Sequence, residues 1–136
     1  MFSCLICFES IFPELSRTFV NKGAQFLVNI TNDGWFGRIS GPQQHNDMAI
    51  LRAVENGVPL VRSANTGISM VVDKFGRVQA ERSLFEENLI SCQIELDNHH
   101  ATIYGSLGDF MPILSLFFIT LCLSLKIFGR GMKFRT

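Results

Sequence analysis

Charge is scarce in this chain of 136 residues: only 18% are Asp, Glu, Lys or Arg, and acids and bases cancel to a formal charge of zero. Proline, with four residues, and tryptophan and tyrosine, with one each, are sparse as well. Low charge combined with 47% hydrophobic residues excludes intrinsic disorder, which needs many charges and little apolar surface. The length suits one domain with a sizeable core, not two. Cys4, Cys7, Cys92 and Cys122 are irregularly spaced and do not form the framework of a stapled secreted domain. A basic leader is missing too. Met1 runs straight into Phe-Ser-Cys-Leu-Ile-Cys-Phe, so no signal peptide is expected and the start reads as the interior of a domain. Nor is there a basic body. Lys126, Arg130, Lys133 and Arg135 are four bases with no acid after Asp109, leaving eight bases against twelve acids in residues 1–109. An acidic body with a short basic tail argues against nucleic acid as a partner. What is abundant is phenylalanine, 13 residues of it, as suits a core plus a lipid-facing segment.

The local patterns alternate. Residues 1–8 read as a buried strand. Ser10 to Asn21 reads as a helix with Pro13 and Glu14 near its start and Gly23 beyond its end. Gln25 to Ile30 is a second strand. Thr31 to Gly37 mixes turn formers with Trp35 and Phe36, which marks a candidate site loop. Pro42 to Asn56 is the clearest helix: Met48, Leu51, Val54 and Val58 recur at helical spacing, and Gly57 caps it. Strands follow at Leu60–Arg62 and Ile68–Val72, the latter entered by an Asn65-Thr66-Gly67 turn. An Asp73–Gly76 hairpin turn leads to Arg77–Ala80, and Asn88–Leu96 alternates as a last strand. The order is mixed α/β with hairpins late in the chain. No charge falls between Asp109 and Lys126. As a helix, Phe110 to Ile127 reaches roughly 27 Å at ~1.5 Å per residue, close to a ~30 Å hydrocarbon core, so a membrane span is expected. A buried core helix is the other reading. The basic tail marks the cytoplasmic flank, with residues 1–109 outside.

Few residues stand out for chemistry. Cys7 ends an apolar strand ahead of Phe8, Glu9 and a helix, a corner that can present a nucleophile to the backbone N–H groups of a helix start. Glu9 is placed to orient a reacting group. A buried core cysteine fits the same pattern. Cys4-x-x-Cys7 is not expected to bind metal, because residues three apart in a strand face opposite ways. His99 and His100 are adjacent rather than one helical turn apart, so no metal site is expected. His45 reads as a helix-surface or loop-tethering residue. Trp35 and Phe36 fit core aromatics or a lipid-contacting lip equally well.

Several segments in order then point one way. Leu5-Ile-Cys-Phe-Glu-Ser-Ile-Phe-Pro-Glu-Leu15 resembles the nucleophile segment of the apolipoprotein N-acyltransferases, a membrane branch of the nitrilase, or carbon–nitrogen hydrolase, superfamily. Val28-Asn-Ile-Thr-Asn-Asp-Gly-Trp-Phe-Gly37 is similar to that family's Trp-Phe-Gly loop. Gly41-Pro-Gln-Gln-His45, Arg52-Ala-Val-Glu-Asn-Gly57, Arg62 to Ser69, Asp73 to Arg77 and Tyr104 to Asp109 continue the pattern. The resemblance spans residues 3–126.

It implies an α/β fold: a partial nitrilase-like αββα sandwich over residues 1–109, one transmembrane helix at 110–127 and a basic cytoplasmic tail at 128–136. The location implied is a bacterial inner membrane with the catalytic portion periplasmic. The chemistry implied is transfer of an acyl chain from a phospholipid donor, through a cysteine thioester, to the N-terminal amine of a diacylglyceryl-lipoprotein acceptor. No cofactor or metal is implied. Cys7 matches the nucleophile, Glu9 a supporting glutamate, and Trp35 and Phe36 lie in the loop near substrate. The family's general-base glutamate and oxyanion-supporting lysine lie upstream of the nucleophile, and no residue here matches them; Lys22 and Lys74 are poorly placed. The chain is therefore expected to be a C-terminal fragment, inactive without the N-terminal part. A soluble amidase-type nitrilase is opposed by the Trp35 loop and the apolar C-terminal helix. The reading from another class is a non-catalytic, membrane-anchored remnant.

Overall fold

The computed structural model describes residues 1–37, 40–85, 87, 89–96 and 101–133, with side chains described as far as Lys126. His99, His100 and the side chains of Arg130, Lys133 and Arg135 lie outside that description. The chain divides into two units, Met1–Ser106 and Leu107–Thr136.

In the first unit five strands form one mixed sheet in sequence order: β1 (Phe2–Ile6), β2 (Phe26–Asn32), β3 (Leu60–Asn65), β4 (Ser69–Val72) and β5 (Val78–Arg82). β1, β2 and β3 run parallel, and parallel pairs need crossovers. α1 (Pro13–Asn21) and α2 (Gly41–Asn56) supply them. β3, β4 and β5 are antiparallel and need only tight turns. Asp73 makes the second of these: its carboxylate accepts the backbone N–H groups of Phe75 and Arg77 at 2.8 and 2.9 Å.

Register aligns Leu5 with Asn29, Asn29 with Arg62 and Arg62 with Met70, so this row shares one face of the sheet. That face holds the core, where Leu5, Leu27, Leu60, Met70 and Val72 pack with Val20, Ala49 and Ala53. The opposite face shows apolar residues to solvent: Phe2 is 58% exposed, Ile6 65% and Ile30 54%. Cys4 alternates with Leu5 and so belongs to that opposite side.

Four readings of the sequence need correction. The first strand stops at Ile6, and Cys7 opens a 3-10 turn, Cys7–Ile11, with the α-helix starting only at Pro13. Cys7 therefore has no α-helix start beside it to favour a thiolate. In α2 the apolar stripe faces outward: Met48, Leu51 and Val54 are 42–51% exposed. The buried side is Pro42, His45, Asn46, Ala49, Arg52, Ala53 and Asn56, so His45 is an interior residue and not a surface one. Small and polar residues line this face because it lies over the polar row of the sheet described below. Asn65 is the last residue of β3 rather than the start of a turn. The expected last strand is absent from the described residues 89–96.

The second unit carries α4 (Phe110–Lys133), after the short α3 (Ile103–Leu107) that ends the first. Every described side chain of α4 from Met111 to Lys126 is exposed. Among the described residues no helix is long and apolar enough to cross a membrane. The segment expected to span, 110–127, is helical and lies within α4.

Candidate active site

Cys7 sits just beyond the C-terminal end of β1 with φ +51°, a left-handed conformation that side-chain-bearing residues rarely adopt. The surrounding groups hold it there. The Ser10 hydroxyl lies 3.2 Å from the Cys7 carbonyl, and the Asn29 amide donates to the same oxygen at 3.3 Å and to the Leu5 carbonyl at 3.0 Å. The Glu9 carboxylate accepts the Ile6 N–H at 2.7 Å, closing the turn from the other side. Arg52 of α2 donates to the Ile11 carbonyl at 3.0 Å and pins the turn's far end. The thiol is half-buried.

Beneath the turn lies a buried polar layer. Along β2 every second residue points inward: Leu27, Asn29, Thr31, and then Asp33 just past the strand end. Asp33 is saturated. Its Oδ1 accepts the Thr31 hydroxyl at 3.0 Å and faces His45 Nδ1 at 2.9 Å, while its Oδ2 accepts Arg62 Nη2 at 2.7 Å. Arg62 also donates to the side-chain amide oxygen of Asn29 and, through Nε, to the Ile68 backbone carbonyl at 3.2 Å. Burial pulls the Arg62 pKa below its ordinary value; the Asp33 carboxylate, and Cys7 when ionised, hold it up.

His45 Nε2 lies 3.1 Å from Ser10 Oγ, so Ser10, His45 and Asp33 are spaced like a serine nucleophile, base and orienting acid. Burial decides against that use. Ser10 is 0% exposed, and no substrate atom can reach it. The hydroxyl serves the turn beneath Cys7.

The rim is aromatic. Phe8 meets Trp35 edge-on at 6.3 Å between ring centroids and stacks on Phe36 at 6.4 Å; the Trp35 and Phe36 rings are 5.3 Å apart. Trp35 is 72% exposed and so is not a core aromatic. The structure thus gathers Cys7, Glu9, Trp35 and Phe36 around one corner. Among the described residues no group of three or more His, Cys, Asp or Glu could hold a metal ion.

The loop after β3 closes the site from below. A Cβ on Gly67 would fall 2.5 Å from Asp33 Oδ2 and 2.8 Å from the Ala64 Cβ. Gly67→Ala should therefore displace Asp33 and lower stability by about 1–3 kcal/mol, as overpacking does. Urea unfolding measures it, and an unchanged midpoint would show that the loop yields freely.

A cysteine on a left-handed turn, at the C-terminal edge of parallel strands and over a buried charge pair, is the arrangement of α/β proteins that present a nucleophile there. Among such proteins the chain belongs to the carbon-nitrogen hydrolase family, whose model matches residues 1–104. It is 50% identical over 105 residues to an apolipoprotein N-acyltransferase of Geobacter metallireducens, covering 77% of this chain and 20% of that one. It is 42% identical over 130 residues to one of Haemophilus ducreyi, covering 95% and 25%. The chain thus spans about a fifth to a quarter of these curated relatives. Among solved structures it is similar to a mutant of the amidase from Nesterenkonia sp. AN1, which shows the acetamide moiety of fluoroacetamide added covalently at the active-site cysteine. That match has a TM-score of 0.52 and 29% identity over 61% of this chain and 34% of that one.

Proposed function

We propose that this chain is the nucleophile-bearing part of an apolipoprotein N-acyltransferase. The Cys7 thiolate attacks the ester carbonyl of a phospholipid and forms a thioester, and the lysophospholipid leaves as the protonated alcohol. The N-terminal amine of a diacylglyceryl-modified lipoprotein then attacks the thioester, an amide forms, and the thiol is regenerated. Glu9 keeps the turn closed during both steps, and Trp35 and Phe36 line the approach of the acyl chains. The observation that carries this reading is Cys7 itself, held on a left-handed turn in a chain 41–50% identical to proteins of that name. The general base and the lysine that supports the oxyanion are assigned to a portion outside residues 1–136. So is a second sheet over the open face that carries Phe2, Ile6 and Ile30, which completes an αββα sandwich.

The working location is a bacterial inner membrane, with residues 1–109 periplasmic, 110–127 spanning and 128–136 cytoplasmic. Support comes from the exposed apolar side chains of α4 and the lack of charge between Asp109 and Lys126. A reporter fused after Thr136 should be active in the cytoplasm; alkaline phosphatase activity there would reverse the orientation.

The function is tested by reconstituting the chain with the N-terminal portion of a related enzyme in vesicles of acyl-labelled phospholipid. Hydroxylamine-sensitive label should appear on this chain and pass to a diacylglyceryl peptide. A chain that stays unlabelled would favour a non-catalytic remnant.

A further inference from the structure

We propose that His45 is a positioning residue for Cys7, acting through the single proton of Ser10. The inference rests on reading Cys7 as the nucleophile, and it concerns how the turn that presents the thiol is held.

The argument is one of proton counting. His45 Nδ1 faces Asp33 Oδ1, an acceptor only, at 2.9 Å and Arg62 Nη2, a donor only, at 3.1 Å; Nη2 already donates to Asp33 Oδ2 at 2.7 Å, and a lone pair on Nδ1 would oppose that of the nearer carboxylate oxygen, so Nδ1 is assigned the hydrogen. The other ring nitrogen, Nε2, faces Ser10 Oγ at 3.1 Å. Ser10 has one hydrogen and two acceptors within reach, Nε2 and the Cys7 carbonyl at 3.2 Å. In neutral His45, Nε2 has a lone pair and takes the Ser10 proton. The Cys7 carbonyl then keeps only the Asn29 amide. In protonated His45, Nε2–H donates to Ser10 Oγ, and the Ser10 proton turns onto the Cys7 carbonyl, which gains a second donor. The left-handed peptide of Cys7 is thus held by one donor or two according to the charge on His45.

The surroundings suit such a relay. Ser10 and His45 are 0% and 3% exposed, so water cannot replace either partner. The Phe8 and Phe36 rings lie 5.3 and 5.9 Å from the imidazole and cover it. The charged and titratable groups around it are Asp33 after β2, Arg62 on β3, whose Nη2 is 3.1 Å from Nδ1, Cys7 and Glu9 on the turn, and Arg52 on α2 itself. Asp33 and Arg62 pair with each other at 2.7 Å.

The test is alkylation of the full chain in detergent by iodoacetamide across pH, with each cysteine followed by peptide mass spectrometry and Cys4 as internal reference. Wild-type Cys7 should show two steps, its own ionisation and a second that follows His45, with the reaction rate on the two limbs differing about threefold to tenfold, as loss of one hydrogen bond allows. Ser10→Ala cuts the relay and should leave one step. His45→Gln keeps an amide N–H toward Ser10 without titrating, and should also leave one step. The double variant should behave as either single one does. Cys4 should keep its wild-type profile throughout. A wild-type profile with one step, or two steps that persist in Ser10→Ala or His45→Gln, would overturn the proposal. The two conservative variants fill their sites, so the test does not depend on His45→Ala folding. Absence of acyl transfer at Cys7 would instead strike the acyltransferase reading and leave these profiles unaffected.

Discussion

Cys7→Ser should abolish acylation of this chain, and Cys4→Ser should leave it largely intact. Both sulfurs are within three residues of each other and both are half-buried, so proximity and exposure do not separate them. Backbone geometry does. Cys4 lies inside β1, across the strand from the fully buried Leu5, on the sheet face that carries Phe2 and Ile6. Cys7 lies past the strand's end, where a left-handed residue lifts its side chain out of the alternation and over the buried Asn29, Asp33 and Arg62. A serine at position 7 can occupy the same turn, but its alcohol is a far weaker nucleophile at neutral pH than a thiol and needs a base that this chain is not expected to supply. Alone, the 136-residue chain should show little acyl transfer. Co-assembled with the N-terminal portion of a related enzyme, it should form a thioester that hydroxylamine cleaves. Mass spectrometry locates the label. Label on Cys4, Cys92 or Cys122 would transfer the nucleophile assignment, and efficient turnover by the isolated chain would show that its own residues replace the base.

Apolar periodicity made much of the frame legible. β1, β2, β4, α1 and α2 lie within a few residues of where strand alternation and helix capping put them, and Gly57 adopts the left-handed cap, φ +65°, that its position after Asn56 suggested. The corner at Cys7 was legible as a corner. What lay beneath it was not, because the apolar stripe of α2 is not the side that faces inward. Met48, Leu51 and Val54 repeat at helical spacing and look like a core stripe, yet they face outward. The inward stripe, His45, Asn46, Ala49, Arg52, Ala53 and Asn56, has the same spacing but is polar or small. Its partner signal was in β2, where Asn29, Thr31 and Asp33 put a polar group at every second position after Leu27. A polar face on a helix and a polar face on a strand each read as solvated alone; together they satisfy one another in the interior. The late region misled for a different reason: residues 89–96 alternate like a strand, but in the structure no strand forms there.

That polar layer should dominate the stability of the first unit, and Arg62→Ala should lower it by about 3–5 kcal/mol, the cost of leaving a buried carboxylate without its cation. Arg62 is 2% exposed and Asp33 1%, so water cannot rescue either partner. Truncation also strips the Ile68 carbonyl and the Asn29 side chain of their donor. Asn29 in turn donates to the Leu5 and Cys7 carbonyls, so the damage reaches the turn that presents the thiol. Against a typical total of about 5–15 kcal/mol for a domain, such a loss leaves the unit at or near unfolding. Arg62→Lys should recover only part of the loss, since one ammonium cannot take the place of a guanidinium that spans Asp33, Asn29 and the Ile68 carbonyl at once. Adding Asp33→Asn to Arg62→Ala should restore more than the single variant keeps, because it removes the uncompensated charge. Urea midpoints of the full chain in detergent, followed by circular dichroism, rank the four proteins. An Arg62→Ala midpoint close to wild type, or a double variant weaker than the single one by the full cost of both changes, would mean the pair is not the keystone of this layer and that the apolar row of Leu5, Leu27, Leu60 and Met70 holds the sheet without it.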